Sequence, residues 1–198
     1  MERLADVLRQ PLRWSQPDKR QRIYVLHASS RRMATLTFRS PAGSFAVGHS
    51  ADGSWSFERV GSQPTMVTIR AEGEPGELAM FEHHNPNDRG TLRLTGERSL
   101  IVATSHWRSQ IEFQRADQQP LFRCRMQGVR RSIAELQVLP VLEGMREMPW
   151  LLMFGGYLVV MMHEDATAGA TTAAGHLSAL PAERRQRWWS RVAPTHTS

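Results

Sequence analysis

From residue 22 to residue 138 apolar side chains recur at every second position, in short runs parted by turn residues. Side chains of an extended strand alternate between faces, so this period sets one face against a core and the other against water. The pattern predicts strands over 23–27, 34–39 and 44–49, with breaks at 29–32 and at Ser40-Pro41-Ala42-Gly43. Asp52-Gly53 between alternating runs predicts a hairpin with a type I′ turn, which needs the positive φ that glycine supplies. Trp55 and Phe57 then share one face, opposite Ser56 and Glu58. Further strands are predicted around Val67 and Ile69, Leu78 and Met80, and Leu92 and Leu94, then over 100–104, 111–113, 122–126 and 134–138. Glu74-Pro75-Gly76 and Gly96 read as turns between them, and 85–90 as an exposed loop. Phe122, Cys124 and Met126 alternate against Arg123 and Arg125, one face in and one face out. About eleven strands at spacings near ten residues mark an all-β sandwich or barrel.

The period then breaks. Residues 149–162, PWLLMFGGYLVVMM, carry no charge and open on a proline, which the first helical turn tolerates. A bilayer needs about 20 apolar residues, and extending the run back to Leu139 would add Glu143, Arg146 and Glu147. Each of those costs about 2.5–3.5 kcal/mol at mid-membrane, so the run reads as a buried helix over 149–163 instead. A helix with no polar face has to be enclosed. It is about 10–12 Å across with its side chains. An eight-stranded barrel is filled by its own inward side chains, so a wall of more strands is required. The expected fold is therefore all-β, a closed or nearly closed antiparallel barrel of about 11–12 strands around a central hydrophobic C-terminal helix. Gly155 and Gly156 would each cost about 1 kcal/mol in that helix, which predicts a close approach of the wall to its backbone.

The flanks follow different patterns. Leu4, Val7, Leu8 and Leu12 fall at helical spacing, interrupted by Pro11, and predict an N-terminal amphipathic helix laid on the domain. The polar residues 15–21 read as a connector, so 1–21 stands apart from a barrel domain over 22–165. Residues 166–198 read as a flexible tail that begins with the small-residue run ATAGATTAAG and ends in arginine and tryptophan.

Composition adds charge and subtracts chemistries. The 198 residues suffice for one core. The net charge of +6 is almost all arginine, since Lys19 is the sole lysine. Arginine binds phosphate and carboxylate bidentately, which fits an anionic partner; an arginine-for-lysine bias of GC-rich coding fits equally. One cysteine, Cys124, excludes an intrachain disulfide and a cysteine-built zinc site, and its place in an alternating run predicts a small buried hydrophobe. Charges in MERLADVLRQ leave no room for a signal-peptide core, so a cytoplasmic or peripheral membrane location is expected.

None of the eight histidines shows metal-ligand spacing, and there is no GxSxG elbow, P-loop or GxGxxG. His163-Glu164-Asp165 reads as a polar helix end. No catalytic residue, metal or cofactor is expected. Two basic groupings remain. Arg123, Arg125, Arg130 and Arg131 lie on the outward face and exit of one predicted strand, where Arg115 or Arg108 could join them from a neighbour. They fit an anion-binding patch, or a solvated face that discourages edge pairing. Arg184, Arg185, Arg187, Trp188, Trp189 and Arg191 fit a membrane interface, stacking on single-stranded nucleic acid, or a tail without a partner.

Strands followed by one apolar C-terminal helix resemble the tubby C-terminal-like superfamily, which includes phospholipid scramblases and the plant LURP-one proteins. DGSWSFERVG, GTLRLTGERSLIVATSHW, IEFQRADQQPLFRCR and the closing WLLMFGGYLVVMM resemble its bacterial members over roughly residues 22–165. The resemblance implies a closed barrel around the helix; some members bind phosphoinositide headgroups through basic residues, and some are linked to lipid scrambling. The chain departs from scramblases at 141–148, VLEGMREM, where they carry an aspartate-rich calcium segment, and it lacks their cysteine cluster. The lysine-and-arginine pocket of tubby proteins maps to no particular residues here. The expected function is a non-enzymatic domain that binds an anionic ligand or membrane surface, such as anionic phospholipid. An interaction scaffold with a protein partner is the alternative, and nucleic acid is the least favoured partner.

Overall fold

The computed structural model describes residues 2–39, 44–61, 65–84, 89–105, 110–127 and 132–179. Twelve antiparallel strands close into a barrel in which every strand pairs with its sequence neighbours. They are β1 (Leu12–Ser15), β2 (Ile23–Ala28), β3 (Arg31–Phe38), β4 (Phe45–Ser50), β5 (Gly53–Val60) and β6 (Met66–Ala71). The second half comprises β7 (Glu77–His84), β8 (Arg89–Leu94), β9 (Ser99–Ser105), β10 (Gln110–Arg115), β11 (Pro120–Met126) and β12 (Ser132–Val138). One helix, α1 (Met148–Ala179), follows.

Closure is the work of the N-terminus. The helix expected over the first fourteen residues is a short 3-10 turn at Leu4–Val7 followed by β1, which pairs with β12 on one side and β2 on the other. Leu12 and Trp14 flank Arg13 with the two-residue period of a strand, but four residues carry too little pattern to compete with the helical spacing of Leu4, Val7 and Leu8. What holds β1 extended is hydrogen bonding to partners far along the chain, Leu12 opposite Leu136 and Trp14 opposite Ala134. Within the segment expected to stand apart, β1 is thus a strand of the barrel wall.

The helix occupies the interior. Leu151, Leu152, Met153, Phe154, Tyr157 and Val159 of α1 are fully buried. Phe154 meets Phe57 of β5, Phe81 of β7 and Phe113 of β10 at ring-centroid distances of 6.0, 5.5 and 5.9 Å. Tyr157 stacks on Phe38 of β3 at 5.5 Å and donates its hydroxyl proton to the Ser44 carbonyl at 3.2 Å. Each such side chain contributes about 1.5–3 kcal/mol by leaving water. The glycines mark where the wall comes closest. A methyl on Gly155 would lie 2.8 Å from Cys124 Sγ of β11, and one on Gly156 only 2.5 Å from Trp14 Cε2 of β1. The wall reciprocates at Gly48 of β4, where a methyl would lie 2.4 Å from Met153 Sδ.

The helix runs from one barrel end to the other. It starts beside the β8–β9 turn, where Glu147 pairs with Arg98, and reaches the β3–β4 connection through Tyr157. The N-terminal turn sits at the starting end too: the Leu4 amide donates to Asp52 Oδ2 at 2.9 Å, and Arg9 pairs with Glu143 at 3.3 Å. At the β4–β5 hairpin the expected type I′ turn does not form. Ser50 pairs with Gly53, so Ala51 and Asp52 make the turn, and Gly53 enters β5 at φ 147°. The Asp52 amide bonds Ser50 Oγ at 3.0 Å, a local alternative that needs no positive φ at Asp52. Two successive positive φ values occur instead at Gly96 and Glu97 between β8 and β9.

Two compact units divide the chain, Met1–Met161 and Met162–Ser198. In the second, the expected flexible linker is helical: α1 continues to Ala179. Alanine, frequent in ATAGATTAAG, is the strongest helix former, and a helix already nucleated needs only to propagate. Residues 180–198, with the Arg184–Arg191 grouping, lie outside the described residues.

Cys124 is fully buried, and burial pushes its thiol well up from the ordinary 9.0. A thiol reagent is expected to leave it unmodified in the native protein and to modify it once urea unfolds the chain; native-state labelling would contradict its burial. Because the folded state holds the proton longer than the unfolded one, this group's share of stability is complete below pH 9. It falls above that by up to about 1.4 kcal/mol per pH unit, a slope that Cys124→Ala should remove.

Candidate functional site

With the interior filled by α1, chemistry has to lie on the outer face or at the barrel ends. Register assembles the outer face of β1, β12, β11 and β10. Arg13 stands opposite Glu135, Glu135 opposite Arg125, and Arg125 opposite Gln110; one step along, Gln137 stands opposite Arg123 and Arg123 opposite Glu112. The segment Leu8 to Pro11 borders this face and leaves a groove of about 470 Å³ lined by Arg9, Arg123, Arg125, Glu135 and Gln137 among others.

The cations in the groove are not equivalent. Arg123 is bound to Glu112, whose side chain is only 16% exposed. Glu135 accepts from Arg13 at 3.4 Å and from Gln127 Nε2 at 2.6 Å, so it is committed away from Arg125. Arg125 is exposed and has no hydrogen bond or ion pair among the described residues. Arg9 pairs with Glu143, but its side chain is 88% exposed, and such a pair is worth about 0–1 kcal/mol. An incoming anion could therefore take Arg125 outright and draw Arg9 from Glu143 at small cost.

Of the arginines expected to converge, Arg123 and Arg125 do. Arg130, Arg131 and Arg108 lie outside the described residues. Arg115 does not join them: Gln110 pairs with Arg125, and Arg115 sits five positions further along β10, about 17 Å away in an extended strand. Protection of a sheet edge no longer accounts for the outward arginines, because a closed barrel has none.

The fold also assembles a group that spacing alone did not reveal. His49 Nδ1 lies 2.7 Å from Ser54 Oγ and 3.9 Å from Glu72 Oε2, brought together by the β4–β5 hairpin and the strand beyond it. The signal was the hairpin register, which sets His49 opposite Ser54. A hydrolase relay uses one imidazole nitrogen for the hydroxyl and the other for the carboxylate. Here one nitrogen faces both, so the arrangement does not activate Ser54. His27 stands between Arg13 and Arg32 across the outer face, and partial burial first, then Arg32, hold its pKa below the ordinary 6.5. No group of three or more potential metal ligands occurs among the described residues. No helix among them is long and apolar enough to cross a membrane.

The class these features define is a closed twelve-stranded antiparallel barrel filled by its own helix, with an arginine-bearing groove on its outer face. No family model, curated protein or solved structure matches the chain.

Proposed function

We propose that this chain is a non-enzymatic, tubby-like binding domain that docks an anionic headgroup on a cytoplasmic membrane surface. The observation that carries the reading is Arg125, a groove guanidinium that makes no ion pair among the described residues, since Glu135 across from it is taken by Arg13 and Gln127. Arg123 and Arg9 stand on the same groove and supply further donors. A guanidinium without a partner is ready for a bidentate contact to phosphate. The filled interior supports a surface site over an enclosed ligand, and the His49, Ser54 and Glu72 geometry supports a non-catalytic role.

Flotation with neutral vesicles and with vesicles containing an anionic phospholipid tests this directly. The protein is expected to float with the anionic vesicles only, and Arg125→Glu to reduce recovery several-fold at an unchanged melting temperature. Equal recovery on both vesicle types would end the headgroup reading and leave an interaction platform for a protein partner. Steep salt dependence on single-stranded nucleic acid in place of vesicle binding would favour the nucleic-acid alternative. The Arg/Trp segment is proposed to add a second contact. Truncation after Ala179 should weaken flotation while leaving the melting temperature unchanged, and unchanged flotation would remove Arg184 to Arg191 from the site.

A further inference from the structure

Pairing of every strand with its sequence neighbours sorts the connections between two rims. Those that follow odd-numbered strands lie at the end where α1 reaches the β3–β4 connection through Tyr157. Those that follow even-numbered strands lie at the end where the helix starts. The charges are sorted with them. Among the described residues, the first set carries Lys19, Arg20, Arg22 and Arg39 against one carboxylate, Asp18. The second carries Asp52, Glu72, Glu74, Glu97 and Asp117 against Arg98 alone, which is paired with Glu147.

The basic rim is dense on one side. The Gln21 amide bonds the Asp18 carbonyl at 3.1 Å, which puts Lys19 and Arg20 at the tip of a turn. The Phe38 amide bonds the Arg22 carbonyl at 3.0 Å and so brings this connection alongside Arg39. Arg125, the last residue but one of β11, comes to the same rim two strands before β1. Lys19, Arg20, Arg39 and Arg125 are exposed, and none of their side chains makes an ion pair among the described residues. Asp18 turns Oδ1 onto the Arg20 amide at 2.9 Å. Val60, which closes β5 at this rim, is 46% exposed, and no other large apolar side chain among the described residues is so open. Neighbouring strands lie about 4.8 Å apart, so the arc from β11 to β3 covers about 20 Å of wall, wider than one lipid headgroup.

We propose that the barrel docks end-on, with this basic rim against an anionic bilayer and the acidic rim turned away from it. The orientation presupposes the headgroup reading, and it puts Arg125 at the bilayer side of its groove. Each lysine or arginine held near an anionic surface strengthens binding about fivefold. The acidic rim lies beyond that field. Tilted strands of six to eight residues hold the rims about 15–20 Å apart, against a Debye length of about 8 Å in physiological salt.

Vesicles of phosphatidylcholine with and without phosphatidylserine test the orientation. Gln21→Cys and Ala116→Cys place a fluorophore on the basic and the acidic rim, since both positions are exposed and Cys124 is buried. Brominated lipid is expected to quench the label at 21 and leave the label at 116 bright. Lys19→Gln, Arg20→Gln and Arg39→Gln together should weaken partitioning onto phosphatidylserine vesicles about a hundredfold at an unchanged melting temperature. Glu72→Gln, Glu74→Gln and Glu97→Gln together should change it by less than about twofold, although they shift net charge equally in the opposite sense. Equal quenching at both labels, stronger quenching at 116, or a basic-rim variant that partitions like the wild type would overturn the proposal. So would an acidic-rim variant that gains as much as the basic-rim variant loses, because net charge would then account for binding. Weakened flotation in Arg125→Glu with none in the basic-rim variant would keep the headgroup site and remove the orientation. No preference of the wild type for phosphatidylserine would remove both.

Discussion

Removal of residues 1–21 is expected to abolish cooperative folding rather than trim an appendage. The deletion takes β1 out of the wall and leaves β2 and β12 with unpaired edges facing each other across a gap. It also strips the cover from one side of α1, because Trp14, 1% exposed, packs against Gly156. A single substitution samples the same contact: burying a large aromatic and then truncating it costs about 3–5 kcal/mol, so Trp14→Ala should lose that much in urea titration. Trp14→Phe should lose clearly less. The indole Nε1 is buried without a hydrogen-bond partner among the described residues, and leaving a donor so costs about 1–3 kcal/mol, which the phenyl ring does not incur. A truncated protein that melts in one sharp transition at the wild-type temperature would show that closure does not depend on β1.

The second large effect lies on the other side of that contact. In an isolated helix Gly156→Ala would gain about 1 kcal/mol of propensity. Here the new methyl would lie 2.5 Å from Trp14 Cε2 and 2.7 Å from its Nε1, where apolar atoms prefer about 3.5–4.0 Å. Something has to shift by an ångström or more, and Trp14 sits in a strand hydrogen-bonded on both edges. Overpacking of this kind costs about 1–3 kcal/mol and outweighs the propensity gain. Gly156→Ala is therefore expected to destabilise by about 1–2 kcal/mol, and Gly156→Leu by more, with Gly144→Ala as the neutral control. Because the indole edge is what the methyl strikes, Trp14→Phe should relieve part of the cost. A double-mutant cycle would read that coupling, and strict additivity would mean that the two residues do not touch. A gain of stability in Gly156→Ala would show that the helix is loosely held.

Much of this architecture was legible in the chain. A period of two recurring along eleven of the strands and a charge-free run with no polar face lead to a wall and its contents by separate routes, and both agree with the fold. Gly155 and Gly156 announced the close approach, since nothing local favours two glycines in a helix. The twelfth strand was not legible, because Leu12 and Trp14 gain their extended form only from pairing with β2 on one side and the distant β12 on the other. Nor was the helical run beyond residue 163: small residues support a linker and a helix alike until a preceding helix nucleates them.

Arg123 and Arg125 could be placed on an outward face from alternation alone. That Arg125 is left uncommitted while Arg123 is held by Glu112 depends on the lateral register of three strands, to which the period-two signal is blind. The sequence by itself determined which side chains face in and which face out, because that choice belongs to each strand and to the free energy of leaving water. Tertiary structure alone decided which outward groups become neighbours and which charges remain unpaired, because pairing across strands is set by closure of the barrel, and closure is a property of the whole chain.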